Sequence, residues 1–156
     1  MAIRNIVKDG DPILRKKARL VEKFDNKLSV IIDDMFETMR SAGGVGLAGN
    51  QVGLLRRIAV ISLDGKDIEL VNPEIIETKG KQIEYEGCLS FPGINERTIR
   101  PNKVKVRAFD RNGKEFEVSG EGLLARAFCH EIDHLDGIVF LDRLYNESDK
   151  INKIYR

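Results

Sequence analysis

Residues 130–134 read His-Glu-Ile-Asp-His. Two histidines four positions apart lie on one face of an α-helix, so both imidazoles can reach a single metal ion. Glu131 sits one position round from His130, close enough to act as general base toward a metal-bound water. The chain has 2 histidines, and both are here, which weighs against an incidental pair of helix histidines. A catalytic metal site takes three protein ligands and keeps one position open, so a third ligand is needed. Of the 2 cysteines, Cys129 adjoins His130 and points about 100° away from it on a helix, poorly placed to share the metal. Cys88 stands in Glu86-Gly87-Cys88-Leu89-Ser90, where Gly87 allows the backbone to turn sharply. Its thiolate can meet the helix from a neighbouring strand, or Cys88 is a small buried hydrophobe; the residues alone leave both open.

A third feature is the run from Gly43 to Gln51, Gly-Gly-Val-Gly-Leu-Ala-Gly-Asn-Gln. It lacks the Gly-Lys-Ser/Thr ending of a phosphate loop. Its small residues permit close approach of another backbone, such as that of a substrate, and Gln51 then offers an amide donor to a polarised carbonyl oxygen. A flexible loop after a helix is the plainer reading of this segment taken alone.

The elements that must position these residues follow from periodicity. Leu28, Ile31, Ile32, Met35, Phe36 and Met39 predict a core-facing helix over about residues 26–40, with Asp33, Asp34 and Glu37 on its polar side. Asp25 is the expected N-cap, and Gly43-Gly44 the stop. Strands are expected at 57–63, at 68–71 (punctuated by Asn72-Pro73 and continuing at 75–77), at 104–108, and on the return past the turn at 111–114, where Phe116 and Val118 share a face. A second helix is expected from about Gly120 to Leu135, capped by Ser119 and stopped by Gly137, with Leu123, Leu124, Ala127, Phe128 and Leu135 as its apolar side. The polar tail 146–156 reads as a frayed helical end. Helix, strands, then helix predicts an α+β fold, with mixed or antiparallel sheets packed around the helix that carries the two histidines.

With 156 residues, 42% hydrophobic and 33% charged, the chain suits a single domain over residues 1–156. Twenty-six Lys and Arg against 25 Asp and Glu leave a net charge of +1, which gives no support for nucleic-acid or membrane-surface binding by bulk charge. The apolar run Ile58–Ile61 is too short to span a bilayer. The N-terminus lacks the apolar stretch of a secretory signal, and 2 cysteines cannot make a disulfide framework, so a cytoplasmic location is expected.

Together, residues 44–51, 86–90 and 130–134 resemble, in order, the three signature motifs of the peptide deformylases. The likeness extends from Asp11-Pro12-Ile13-Leu14-Arg15 to Phe140-Leu141-Asp142-Arg143-Leu144. Two positions depart from the pattern. Gly49 replaces a usual alanine, which is expected to loosen the loop, and Cys129 stands where glutamine is common. The resemblance implies an enzyme that removes the formyl group from the N-terminal formylmethionine of new polypeptides. It implies Cys88, His130 and His134 as metal ligands, with water or hydroxide in the fourth position that attacks the formyl carbon. Glu131 is implied as general base and acid, and Gln51 and the Leu89 N–H as binders of the formyl oxygen. It implies ferrous iron, replaceable by zinc, nickel or cobalt, although one sulfur and two nitrogens by themselves suggest zinc.

By the same resemblance, Val45, Gly46, Leu89, Leu123, Arg126 and Ala127 bind the substrate, with the methionine side chain in a pocket beside the metal. Arg126 is unusual there; its aliphatic stem is expected to pack while its charge reaches outward. Leu123 and Ala127 are alternatively ordinary helix core. Asp133 either orients a ligand or is a solvated helix carboxylate. The expected partners are formylmethionyl peptides, with ribosome association left open and no membrane or nucleic acid. Two rival activities also fit a pair of helix histidines. A protease with the same histidine helix would cleave unformylated peptides, and a structural metal site would need a fourth protein ligand.

Overall fold

A computed structural model describes residues 2–146 of the chain. The element order is α1 (Asn26–Ser41), β1 (Gly46–Ala48), β2 (Ile58–Leu63), β3 (Lys66–Lys79), β4 (Gln82–Cys88), β5 (Phe91–Arg100), β6 (Lys103–Phe109), β7 (Glu115–Glu121) and α2 (Leu123–Leu135). The fold is α+β. One five-stranded sheet has the order β1-β2-β3-β6-β7, and β4 and β5 form a separate two-stranded sheet. Every strand pairing within both sheets is antiparallel.

α1 begins where the Asp25 carboxylate accepts a hydrogen bond from the Leu28 N–H at 3.1 Å, satisfying one orphan donor of the first turn. Its buried face is Leu28, Ile32, Met35, Phe36 and Met39. Asp34 does not belong to the solvated side. It is buried and accepts from the Ala2 N–H at 2.7 Å, and it pairs with Arg4 at 3.0 Å. The helix thus tethers the N-terminal segment.

β2 explains why Ile58-Ala59-Val60-Ile61 is a continuous apolar run rather than an alternating one. Ile58 and Val60 pack in the cluster that contains α1, whereas Ala59 and Ile61 pack in the cluster that contains Phe128, Ile132 and Leu135 of α2. A strand covered on both faces needs apolar residues at every position. The methyl-sized Ala48 and Ala59 let α2 lie close to this end of the sheet. Farther out, β6 alternates buried Val104, Val106 and Ala108 with Lys105 and Arg107, as one covered face requires.

Three expected boundaries shift. Asn72-Pro73 does not end a strand: β3 runs through it with register shifts, Asn72 taking φ +52°. Ser119 is not a helix cap. It pairs with Lys105 in the β6–β7 ladder, which continues to Glu121 opposite Lys103. The corner is made at Gly122, φ +62°, so α2 starts at Leu123. Past α2, Leu144 bridges Thr98, and the Tyr145 N–H donates to the Arg97 carbonyl at 2.8 Å. The tail expected to be a frayed helix lies outside the described residues from 147 onward. Among the described residues, no helix is long and apolar enough to cross a membrane.

Candidate active site

α2 brings His130 and His134 together one turn apart, ring centroids 4.9 Å from each other. The end of β4 brings Cys88, whose Sγ lies 3.3 Å from His134 Nε2. One ligand atom from each of the three lies within 4.8 Å of the others. Cys129 is fully buried and stands outside this group; burial pushes its thiol up to about 12.

Glu86 precedes Cys88 by two residues, and on a strand positions i and i+2 face the same side. Both therefore turn toward α2. Glu86 Oε2 lies 2.5 Å from His130 Nδ1, which fixes that ring and directs its other nitrogen to the Cys88 side. Glu86 is itself held by Arg100 Nη2 at 2.6 Å, Arg126 Nη1 at 2.6 Å and the Thr98 hydroxyl at 2.8 Å. Arg100 continues to Asp133 at 2.7 Å, and Arg143 caps Asp133 at 3.1 Å. Asp133 is accordingly a buried ion-pair member, not a solvated carboxylate. Burial works against the charge on Glu86, but His130 and Arg100 outweigh it and hold the carboxyl well below the usual range.

Glu131 is buried beside this network. Its Oε2 is 4.0 Å from His130 Nε2, and its Oε1 has no hydrogen-bond partner among the described residues. Burial, reinforced by nearby Glu86, pushes its carboxyl up to about 7 against the pull of His130 and Arg100. A carboxyl poised there exchanges protons readily at neutral pH. Gly46 on β1 makes the room: a Cβ at that position would stand 2.5 Å from Glu131 Oε2.

Gln51 follows β1 in a short 3-10 turn, Gly49–Val52. Its Oε1 accepts from the Ala48 N–H at 3.0 Å, and its Nε2 donates to Ser90 Oγ at 3.1 Å and toward Cys88 Sγ at 3.5 Å. The carboxamide orientation is thereby set, with the amine end on the cysteine side. The segment is not a flexible loop: Leu47, Ala48, Gly49, Asn50 and Gln51 are all buried. Nor does Gly49 loosen it. A Cβ there would lie 2.6 Å from the Arg56 carbonyl oxygen and 2.9 Å from that of Leu54, so the missing methyl lets two backbone carbonyls close in.

These groups share a cavity of about 450 Å³. Cys88, His130, Glu131 and Gln51 line it, as do Val45, Gly46, Leu89, Leu123, Arg126 and Ala127. Arg126 does not send its charge outward. It is buried, with Nη1 on Glu86 and the Thr98 hydroxyl and Nε on Gln82 at 3.2 Å, because the Glu86 carboxylate offsets the guanidinium inside. Leu123 is not helix core: it is 55% exposed at the cavity. Ala127 is buried in the cluster under α2 and also reaches the cavity. The motifs did not single out Ser90, Arg100 or the role of Glu86. The Glu-x-Cys spacing on a strand was a usable signal for Glu86; nothing local marks Arg100.

The family model described as polypeptide deformylase matches residues 3–150 of the chain. The chain belongs to the polypeptide deformylase family. It is an enzyme of the class that removes the N-formyl group from nascent peptides in a metal-dependent reaction. A peptide deformylase of Lachnoclostridium phytofermentans is 55% identical over 154 residues, covering 97% of this chain and 94% of that protein. One from Clostridium botulinum is 54% identical over 143 residues, covering 92% and 97%. Among solved structures, the Legionella pneumophila deformylase superposes with a TM-score of 0.90 at 46% identity, covering 97% and 91% of the two chains. The Thermotoga maritima enzyme gives 0.91 at 40% identity, covering 94% and 100%.

The residues present fit a metal. One sulfur and two imidazole nitrogens converge, and Glu86, Glu131 and Cys88 surround His130 strongly enough to raise its pKa although burial opposes its charge. His134 is held neutral by burial and by the charge of its neighbour, the form that ligates a metal.

Proposed function

We propose that Cys88, His130 and His134 hold one ferrous ion, that Glu131 carries the proton in deformylation, and that Gln51 and the Leu89 N–H bind the formyl oxygen. The observation that supports this most strongly is that a buried carboxyl near pH 7, an oriented carboxamide and three converging ligand atoms line or adjoin one cavity. When bound, the ion supplies Lewis acidity that polarises the formyl carbonyl and acidifies the attacking water. Glu131 takes a proton from that water and returns it to the departing amine. A carbon–oxygen bond forms, the formyl carbon–nitrogen bond breaks, and formate and a free N-terminus leave. Gln51 Nε2 and the Leu89 N–H stabilise the charge that grows on the formyl oxygen, a role in which one donor is worth roughly 2.7–4 kcal/mol. Val45, Gly46, Leu89, Leu123, Arg126 and Ala127 surround the methionyl residue.

Iron rather than zinc rests on the resemblance to deformylases; zinc, nickel or cobalt can replace it at the same ligands. A thiol at the site suits a reducing compartment, and we place the enzyme in the cytoplasm, where formylated chains are made. Of the tail Leu144 to Arg156, for which ribosome association is left open, only residues 144–146 lie among the described residues. The whole of residues 1–156 is taken as one catalytic unit, since both sheets and α2 contribute to a single site. Glu131→Gln tests the proton role. The variant is expected to keep its metal and lose formate release by about 100-fold or more; a variant with full metal and near wild-type rate would contradict it.

A further inference from the structure

The site draws on both sheets: Gln51 follows β1 of the five-stranded sheet, and Ser90 stands between β4 and β5 of the two-stranded one. The N-terminal segment joins them, although residues 2–8 belong to no helix or strand. The Val7 N–H donates to the Gln51 carbonyl at 2.7 Å, and the Asp9 N–H donates to the Ser90 carbonyl at 2.8 Å. Between them, Lys8 Nζ reaches the Leu89 carbonyl at 3.5 Å. Three consecutive residues thus grip the backbone of Gln51, Leu89 and Ser90. The segment is itself anchored on both sides. Upstream, the Arg4 N–H donates to Thr38 Oγ1 at 2.8 Å, and the Arg4 guanidinium pairs with the buried Asp34. Downstream, the Asp11 N–H donates to the Lys8 carbonyl at 3.2 Å and closes a turn through Gly10, at φ +97°. Ile6 packs into the cluster that contains α1, and Val7 into that of Leu14, Phe91 and Phe140.

We infer that Val7–Asp9 form a positioning strap, which sets Ser90 and, through its hydroxyl, the Gln51 amine that meets the formyl oxygen. The inference rests on the deformylase reading of Gln51. Ser90 is fully buried, and its Oγ takes one Gln51 Nε2 hydrogen at 3.1 Å. A primary carboxamide has two such hydrogens, so fixing one aims the other. A shift of about 1 Å in a positioned group can cost about 100-fold in rate. Asp9 and Ser90 act through Gln51 as positioning residues.

The turn offers a clean probe. Its positive φ falls on Gly10 and not on Asp9, which makes it type II with Asp9 at the position that favours proline. Asp9→Pro therefore deletes the N–H to Ser90 and keeps the turn, whereas Asp9→Ala keeps the N–H. The test compares kcat and KM of these two variants for formyl-Met-Ala-Ser, per bound ferrous ion. The proline variant is expected to have a kcat about tenfold lower with KM within about twofold, a fraction of the loss for a whole oxyanion donor. In a Gln51→Ala background the same pair is expected to differ by less than about twofold, because changes acting on one group do not add. Ser90→Ala, which leaves the backbone untouched, is expected to lower kcat by about tenfold as well. Equal kcat in Asp9→Pro and Asp9→Ala, a difference that persists in full without Gln51, or a wild-type kcat in Ser90→Ala would each overturn the strap while leaving deformylation intact. A wild-type rate in Gln51→Ala, or no formate from iron-loaded wild type, would instead overturn the underlying reading, and the strap with it.

Discussion

Glu86 is the residue on which the orientation of His130 turns. It joins His130 to Arg100, Arg126 and Thr98 in a buried space, where a carboxylate is tolerated only because it is paired on every side. Glu86→Gln removes the charge but keeps the shape. Arg100 and Arg126 would then share too little negative charge, and His130 would lose its charge-assisted partner. The expected loss is about 3–5 kcal/mol of stability together with a 10- to 100-fold weaker hold on the metal. Urea unfolding and a chelator competition would measure the two separately. A variant with wild-type metal affinity would show that His130 needs no orienting carboxylate. The pentapeptide that announced the metal site also concealed part of it. Asp133 looks like any polar helix position, and only the arrival of Arg100 and Arg143 from elsewhere in the fold makes it internal.

At the scale of elements, β1 and the turn after it depend on contacts a Cβ would exclude. Gly49→Ala, the residue that the motif resemblance leads one to expect, should destabilise this chain by about 1–3 kcal/mol, since the Arg56 and Leu54 carbonyls already occupy the space. A thermal or urea midpoint at or above wild type would show that the two carbonyls retreat at no cost. The helices and the strands β2 and β6 were legible because each buries apolar residues at its own period. The β4–β5 sheet was not, for a physical reason: its buried positions include Glu86, Thr98 and Arg100, so hydrophobic periodicity is silent where polar groups form the interior. β1 escaped notice as a three-residue strand of Gly, Leu and Ala. Ser119 misled as a cap because strand pairing with Lys105 supplied its backbone with better partners. The ligand motifs needed no such context, being specified by residue type and spacing.

At the scale of the whole molecule, α2 is the shared wall between the two sheets, and Cys129 lies at its centre. Burial holds its thiol neutral and pushes it up to about 12, well above the ordinary thiol value. A pKa raised in the folded state means that the neutral thiol favours folding; this contribution is whole below about pH 9 and is lost as pH climbs toward 12. Over that window wild type should lose about 1.4 kcal/mol more per pH unit than Cys129→Ala. Parallel alkaline slopes in urea unfolding would mean that the thiol ionises freely where it sits.

The central claim is that this arrangement hydrolyses a formyl amide and spares the peptide bond. The most direct measurement is an anaerobic reaction of ferrous-loaded wild type with formyl-Met-Ala-Ser, counting formate and new amino termini together, with unformylated Met-Ala-Ser alongside. One formate for each new amine, intact Met-Ala-Ser as product and no reaction of the unformylated peptide are the predicted results. Cleavage of unformylated Met-Ala-Ser, or no formate from folded, metal-loaded protein, would contradict the account.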